Sequence, residues 1–276
     1  RLCPMLNFVK RTLRTSLDRL GFDLRRKKLH EQADDPYHAI SILLDKEKTR
    51  TIVDAGASIG DISQKLTEMF PLATVHAIEP YPPFHAHLEK LAIKNKRIRA
   101  EKLALSDENG SKVLQINKSE GTNSLLRSNE EGKAIYGDLL STTGEIRVKC
   151  QSLDEFLHEN SIEKVDLLKL DLQGSELPAL TGASEALSEG KIKCILCEIM
   201  FQPQYESQPP ASAILNELMG NHDYMLFNLY QHHHHHGYLC QTDALLFHSS
   251  INSNAREKAH LAFHPYSAIS FSEFQL

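Results

Sequence analysis

The sequence lacks any long apolar run. None of its hydrophobic segments approaches the roughly eighteen residues needed to cross a bilayer. It also lacks an N-terminal apolar segment followed by a small-residue cleavage site, the pattern of a secretory signal. We therefore expect no transmembrane segment and a soluble, cytoplasmic protein.

Cysteine is scarce, with five in 276 residues. Cys194 and Cys197 lie in an apolar run from Lys193 to Met200 that is typical of a buried strand. Side chains three apart on a strand point to opposite faces, so these thiols would not share a metal ion or a disulfide. We expect two small buried apolar residues there and no metal site.

Positive charge is sparse beyond the first thirty residues. The net charge of -5 divides into +7 for residues 1–30, where nine Lys or Arg outnumber Asp18 and Asp23, and -12 for the remainder. A body of that charge predicts no nucleic-acid partner. Residues 5–20 place leucine and valine at helical spacing, which predicts a basic amphipathic helix. It either docks on its own domain or makes a weak peripheral contact with an anionic membrane.

Length and element order predict one α/β domain. A chain with 41% hydrophobic residues can bury one sizeable core. Apolar strands alternate with helical patterns, the order that builds a mostly parallel sheet. We expect an N-terminal extension at 1–34, one domain at 35–250 and a C-terminal extension at 251–276.

The chain is organised around the apolar strand Thr51–Ala55 and the glycine turn that follows it. The turn differs from the G-x-G-x-x-G of a dinucleotide fold, because three residues separate its glycines and Asp54 precedes them. An acid at this position repels a pyrophosphate and favours a cationic or amino-bearing ligand. S-adenosylmethionine carries both a sulfonium and an α-amino group. The predicted cradle comprises Asp54, Gly56, Ala57, Ser58 and Gly60.

The next two strand ends predict the rest of an adenosine site. The strand from Thr74 ends in Glu79 and Pro80, where a carboxylate takes the ribose hydroxyls. A third strand is expected from Arg99 to Leu105. At its end Leu105 would cover the adenine, and Ser106 or Asp107 would accept from its amino group. The alternative for these last residues is an ordinary polar turn.

Two later strands carry acids at their carboxyl ends. Strands Lys164–Asp171 and Cys194–Met200 are expected to be neighbours, which brings Asp171 close to Glu198. With Glu176 they are the catalytic candidates. We favour Asp171 as the base for an acceptor hydroxyl and Glu198 as the residue that orients the acceptor. In the alternative reading, the acids only hold the donor or cap a helix.

Two further segments border this edge. Ser111–Asn117 and Ile146–Gln151 are expected to pair antiparallel, and Gly121–Ser124 between them either closes over the donor or is plain linker. A helix is expected around 211–219. Strands Tyr224–Tyr230 and Thr242–His248 would follow it, with a turn that contains His232–His236. We favour a solvated turn over an acceptor-side base or metal cluster and over an engineered insertion.

Together these motifs resemble the FkbM-type S-adenosylmethionine-dependent methyltransferases over about residues 35–248. The segments that carry the resemblance are Val53–Gly60, Ala77–Pro80, Ala104–Asp107, Leu168–Glu176 and Leu196–Phe201. The resemblance implies a class I, Rossmann-like fold: a seven-stranded, mostly parallel sheet with its last strand antiparallel and helices on both faces. It also implies O-methylation of a sugar or natural-product hydroxyl, so the expected partner is a small-molecule or glycan acceptor.

The resemblance also implies roles for single residues. It assigns the first acid and both glycines of the turn to the aminoacyl end of the donor, Glu79 to the ribose, and Asp171 to the neighbourhood of the reacting methyl. Ser58 stands where the family commonly has Asn. Two readings from other classes remain: a nicotinamide-dependent oxidoreductase on a similar sheet, and a donor-binding scaffold without turnover.

Overall fold

The computed structural model describes residues 35–251, so the expected helix at 5–20 lies outside the described residues. A seven-stranded sheet has the order β3-β2-β1-β7-β8-β10-β9. Its strands are β1 Thr51–Ala55, β2 Thr74–Ile78, β3 Ile98–Glu101, β7 Val165–Leu170, β8 Ile192–Met200, β9 Tyr224–His235 and β10 Tyr238–His248. Neighbours from β3 to β8 pair parallel, whereas β10 pairs antiparallel with both β8 and β9. The predicted mostly parallel sheet with an antiparallel last strand is confirmed.

Helices lie between most of the strands along the chain. They are α1 Pro36–Leu43, α2 Asp61–Met69, α3 Pro82–Lys94, α4 Glu130–Tyr136, α5 Leu153–Glu159, α6 Glu176–Thr181, α7 Ser184–Ser188 and α8 Ala211–Leu215. A π-helix, Asn216–Asn221, continues α8. Every residue of β7 is buried, as expected for a parallel strand covered on both faces, although Asp166 and Lys169 in it are charged. In the part of the chain that the structure describes, no helix is long and apolar enough to span a membrane.

The prediction of one strand from Arg99 to Leu105 is wrong, because these residues divide between two sheets. β3 ends at Glu101, where a tight turn brings the N–H of Leu103 to the Glu101 carbonyl at 3.2 Å. The next two residues, β4 Ala104–Leu105, join a second sheet of order β4-β6-β5, with β5 Gly110–Asn117 and β6 Thr142–Gln151. The antiparallel pairing predicted for β5 and β6 is confirmed. This second sheet forms one side of the site.

The histidine run is not the turn that its position suggested. His232–His235 continue β9, and the turn is made by His236 and Gly237, whose φ angles are 48° and 83°. Since β9 runs parallel to β8, its end projects from the same sheet edge as the carboxyl ends of β1 and β7. All but His235 are exposed, as expected for a solvated segment.

Candidate active site

The glycine turn after β1 brings two strand ends into close contact. Gly56 has φ of 75°, and a Cβ placed on it would lie 1.9 Å from the Asp171 carbonyl oxygen. Gly60, with φ of 95°, begins α2, and a Cβ there would meet Leu88 at 2.7 Å. Only glycine fits either position, so the spacing of the two glycines is set by packing as well as by ligand approach.

Beside this turn lies a cavity of about 300 Å³. Six of the predicted residues line it: Gly56, Ser58, Glu79, Pro80, Leu105 and Asp171. Segment Gly121–Ser124 contributes Gly121, Asn123 and Ser124 to the opposite wall. A cavity of this size, lined by both apolar and polar residues, suits an adenosine-bearing ligand.

Glu79, the residue predicted to bind the ribose, is buried. Its Oε2 accepts from the Ser58 N–H and its Oε1 from the Tyr81 N–H, both at 2.9 Å. Burial raises the pKa of Glu79 to about 7, although the two N–H donors oppose the rise. The carboxyl is therefore held in position by backbone and poised to change charge near neutral pH.

The part of the cavity wall predicted to hold the adenine is apolar. Its wall is formed by Ile78, Phe84, Leu105, Leu114 and Leu125. The predicted polar partners are held elsewhere, because the Lys112 ammonium donates to both Ser106 Oγ and Asp107 Oδ1 at 2.7 Å. Lys112 and the Ser106 hydroxyl lower the pKa of Asp107. The structure thus places Ser106 and Asp107 in a polar turn beside the cavity, and neither is part of its wall.

Asp54 lies beneath the cavity and does not line it. Its side chain is fully buried, with the Ser63 hydroxyl donating to Oδ2 at 2.6 Å. The other oxygen, Oδ1, has no hydrogen bond and lies 3.6 Å from the Lys169 ammonium. Ala57 is also buried below the turn, where it packs with Leu88. Asp54 is thus paired with Lys169 below the glycine turn and is not on the cavity wall, where the sequence predicted it.

Lys169 is a site residue that sequence reasoning missed. It lies opposite Asp54 in the β1–β7 register and contacts Asp171 Oδ2 at 3.3 Å. Burial lowers the pKa of Lys169, but Asp171 and Asp54 together outweigh burial and raise it above the usual lysine range. The available signal was the strand period of two, which puts Lys169 and Asp171 on one face.

Asp171 and Glu198 lie together at the carboxyl edge, as predicted from their strands. The side-chain amide of Gln173 donates to Asp171 Oδ1 at 2.9 Å and to Glu198 Oε2 at 3.0 Å. Asp171 is 40% exposed, whereas Glu198 is buried. Burial first, and then the negative charge of Asp171, raises the pKa of Glu198 well above its usual range.

Glu176 supports the loop between β7 and α6. Its Oε1 accepts from the backbone N–H of Leu172 at 2.8 Å and of Gly174 at 3.3 Å. Burial raises the pKa of Glu176 to about 7. The structure gives it the contacts of a loop-holding residue, and it is not part of the cavity wall.

Cysteines and histidines form no further site in residues 35–251. Cys194 and Cys197 are buried in β8, the strand predicted for them. No group of three or more His, Cys, Asp or Glu side chains within that range is arranged to hold a metal ion.

Comparison with known proteins matches the family model "Methyltransferase FkbM domain" to residues 54–241, more than half of the chain. The 2-O-methyltransferase NoeI of Sinorhizobium fredii is 28% identical over 60% of this chain and 70% of its own length. The 31-O-demethyl-FK506 methyltransferase FkbM of Streptomyces tacrolimicus is 27% identical over 49% of this chain and 60% of its own. A solved FkbM methyltransferase from Methylobacillus flagellatus KT gives a TM-score of 0.49 at 19% identity, over 80% of this chain and 49% of that one.

Proposed function

Because the chain belongs to the FkbM methyltransferase family, with S-adenosylmethionine as its methyl donor, we propose that it methylates a hydroxyl oxygen. The acceptor is a small molecule or glycan. Two relatives support this: one is named a 2-O-methyltransferase, and the other acts, by its name, on 31-O-demethyl-FK506. The chain spans only 60% of the second relative, so the acceptor is proposed by class alone.

The observation that carries the proposal is the position of Asp171. Its carboxylate lines the donor cavity, is partly open to solvent, and is held by Lys169 on one oxygen and Gln173 on the other. A base for an alcohol must lie where the acceptor meets the donor, in a fixed orientation. Among the predicted catalytic acids, Asp171 alone belongs to the cavity wall.

The bound donor supplies a methyl carbon already activated by its sulfonium. The chain then has to align the acceptor and remove one proton. We assign proton acceptance to Asp171 and orientation of the acceptor to Glu198, whose oxygens lie beside it across the Gln173 amide. Glu79 takes the ribose hydroxyls, and Gly56 with Ser58 offers backbone to the aminoacyl end. Asp54, below the glycine turn, attracts the amino-bearing end of the donor through its negative charge.

The acceptor surface is proposed to exclude nucleic acid, because residues beyond the basic N-terminal segment carry a net charge of -12. Phosphate backbones bind clusters of Lys and Arg. The boundaries 1–34, 35–250 and 251–276, and a weak membrane contact through residues 5–20, stay predictions.

The first experiment is calorimetric titration of the chain with S-adenosylmethionine and, separately, with NADH. Asp54→Ala and Glu79→Ala should both weaken donor binding, because one removes charge beneath the turn and the other removes the ribose partner. Heat from NADH without heat from the donor would instead favour an oxidoreductase.

The second experiment is a screen of hydroxylated acceptors with methyl-labelled donor. Asp171→Asn should lower kcat by about 10²-fold or more while donor binding persists. Asp138→Asn is the matched control, because Asp138 is exposed and its ion pair within residues 35–251 is with Lys118. Donor binding without label transfer to any acceptor would contradict the proposal and favour a silent scaffold.

A further inference from the structure

A continuous chain of hydrogen bonds surrounds the two carboxylates at the sheet edge. The Gln173 amide nitrogen bridges Asp171 Oδ1 and Glu198 Oε2, and the Gln241 amide nitrogen donates to the other oxygen of Glu198. Gln241 Oε1 in turn accepts from Tyr136 at 3.3 Å. Neither glutamine was a predicted site residue, since amides carry no charge or spacing signal.

The orientation of the Gln173 amide is fixed by its neighbours. If nitrogen and oxygen were exchanged, the amide oxygen would face two carboxylate oxygens at about 3 Å with no hydrogen between them. In the observed orientation, each N–H meets one carboxylate, and Oε1 accepts from the Tyr205 hydroxyl at 3.0 Å. Burial raises the pKa of Tyr205, so this hydroxyl stays a donor.

The backbone of Gln173 is held in an unfavourable conformation. Its φ is 53°, in the left-handed region that is unfavourable for a residue with a side chain. The conformation is fixed from outside: the Ser124 hydroxyl donates to the Gln173 carbonyl at 2.7 Å, and Glu176 binds the backbone on either side. A packed structure that enforces a strained residue beside two acids points to a functional placement.

We propose that Gln173 is a positioning residue that clamps the cavity-facing Asp171 to the buried Glu198, an inference that rests on the proposed function. A single amide satisfies one oxygen of each acid and sets the angle between the carboxylates. Asp171 then keeps Oδ2 toward Lys169 and stays partly open at the cavity wall, while Glu198 stays buried with both oxygens hydrogen-bonded. Among the described residues, no other side chain hydrogen-bonds to both acids, since of the two Lys169 contacts Asp171 alone and Gln241 contacts Glu198 alone.

The experiment compares Gln173→Leu, which keeps bulk and removes both N–H donors, with Gln173→Glu, which keeps shape. Gln202→Leu is the control, since its side chain makes no hydrogen bond to either acid among residues 35–251. We expect Gln173→Leu to lower kcat about tenfold or more, while the donor dissociation constant changes less than about threefold. In Gln173→Glu the loss should grow as pH rises, because only the protonated side chain donates.

A second readout does not depend on turnover. Carbon-13 labelling of glutamate carboxyls, with Glu198→Gln to identify the resonance, follows the ionisation of Glu198 directly. Removing an N–H donor disfavours the charged carboxylate, so Gln173→Leu should raise the pKa of Glu198 further. The charged groups facing Glu198 that set the baseline are Asp171, Glu176 and Asp243, which raise its pKa, and Lys169, which lowers it.

The two readouts separate the two proposals. A raised pKa in a chain that methylates no acceptor supports the clamp and counts against the proposed function. Turnover and pKa both unchanged in Gln173→Leu would overturn the clamp and leave the proposed function standing. If Gln173→Leu does not fold by circular dichroism, the pH dependence of Gln173→Glu decides: a kcat that is equal to wild type at every pH overturns the clamp.

Discussion

Donor binding should weaken below neutral pH because of Glu79. Its pKa lies at about 7 in the folded chain, since burial disfavours the charged carboxyl. Ribose hydroxyls donate to a carboxylate more strongly than to a neutral acid. At pH 6 only about one Glu79 carboxyl in eleven is ionised, against about nine in ten at pH 8. The donor dissociation constant should therefore be up to about tenfold higher at pH 6, a loss of ~1.4 kcal/mol in binding free energy.

Calorimetry from pH 6 to pH 8 measures this, repeated in two buffers of different ionisation enthalpy. Binding below pH 7 should release a proton, because the donor holds Glu79 in its charged form. The donor's own α-amino group titrates near pH 8 or slightly below, so Glu79→Gln is needed as a reference that retains that contribution alone. If the wild-type donor affinity changes with pH as it does in Glu79→Gln from pH 6 to pH 8, and no extra proton is released, the reasoning is refuted.

Three substitutions test the packing around the site. Gly56→Ala should lower the free energy of unfolding in urea by more than about 2 kcal/mol, because its Cβ would overlap the Asp171 carbonyl. Gly144→Ala, with open space around it, should lower it by less than about 1 kcal/mol. Lys169→Met should lower the free energy of unfolding by about 3–5 kcal/mol, because it leaves Asp54 buried without its ion-pair partner. Lys164→Met, at an exposed position, is the control and should change the free energy of unfolding little. Equal effects of the two substitutions would contradict the buried ion pair. Tyr205→Phe should lower kcat several-fold with donor binding unchanged, since the Gln173 amide oxygen loses the hydroxyl that donates to it. An unchanged kcat would contradict a role for this hydrogen bond.

Much of this arrangement was predictable because parallel strands end at one edge. Chain order alone placed Glu79 and Asp171 on the cavity wall, since each follows a strand directly. The division of the third strand was not predictable. Residues 99–105 form one continuous strand-like pattern, and the break depends on a pairing of Leu105 with Gln151, forty-six positions away. The histidines were misplaced for a similar reason, because polar side chains gave no sign that β9 continues.

Asp54 shows how a correct chemical argument can miss a position. The sequence predicted an acid for the aminoacyl end, but β1 delivers that acid below the turn, where its neighbour across the sheet is Lys169. The pairing of β1 with β7 is a register, and one sequence does not reveal registers between strands more than a hundred residues apart. Gln173 was missed differently: its role comes from two contacts made after folding.

The charge balance of this edge suggests why a cationic donor suits it. Asp54, Asp171 and Glu198 converge there, and among the described residues Lys169 is the cation in contact with the first two. Burial first, and then the neighbouring negative charges, raise the pKa of Glu198. The excess of negative charge favours any ligand that brings positive charge. A sulfonium donor does so, whereas the thioether left after transfer has lost that charge. The same acids that attract the donor should therefore hold its product less tightly, and this difference in affinity would favour product release.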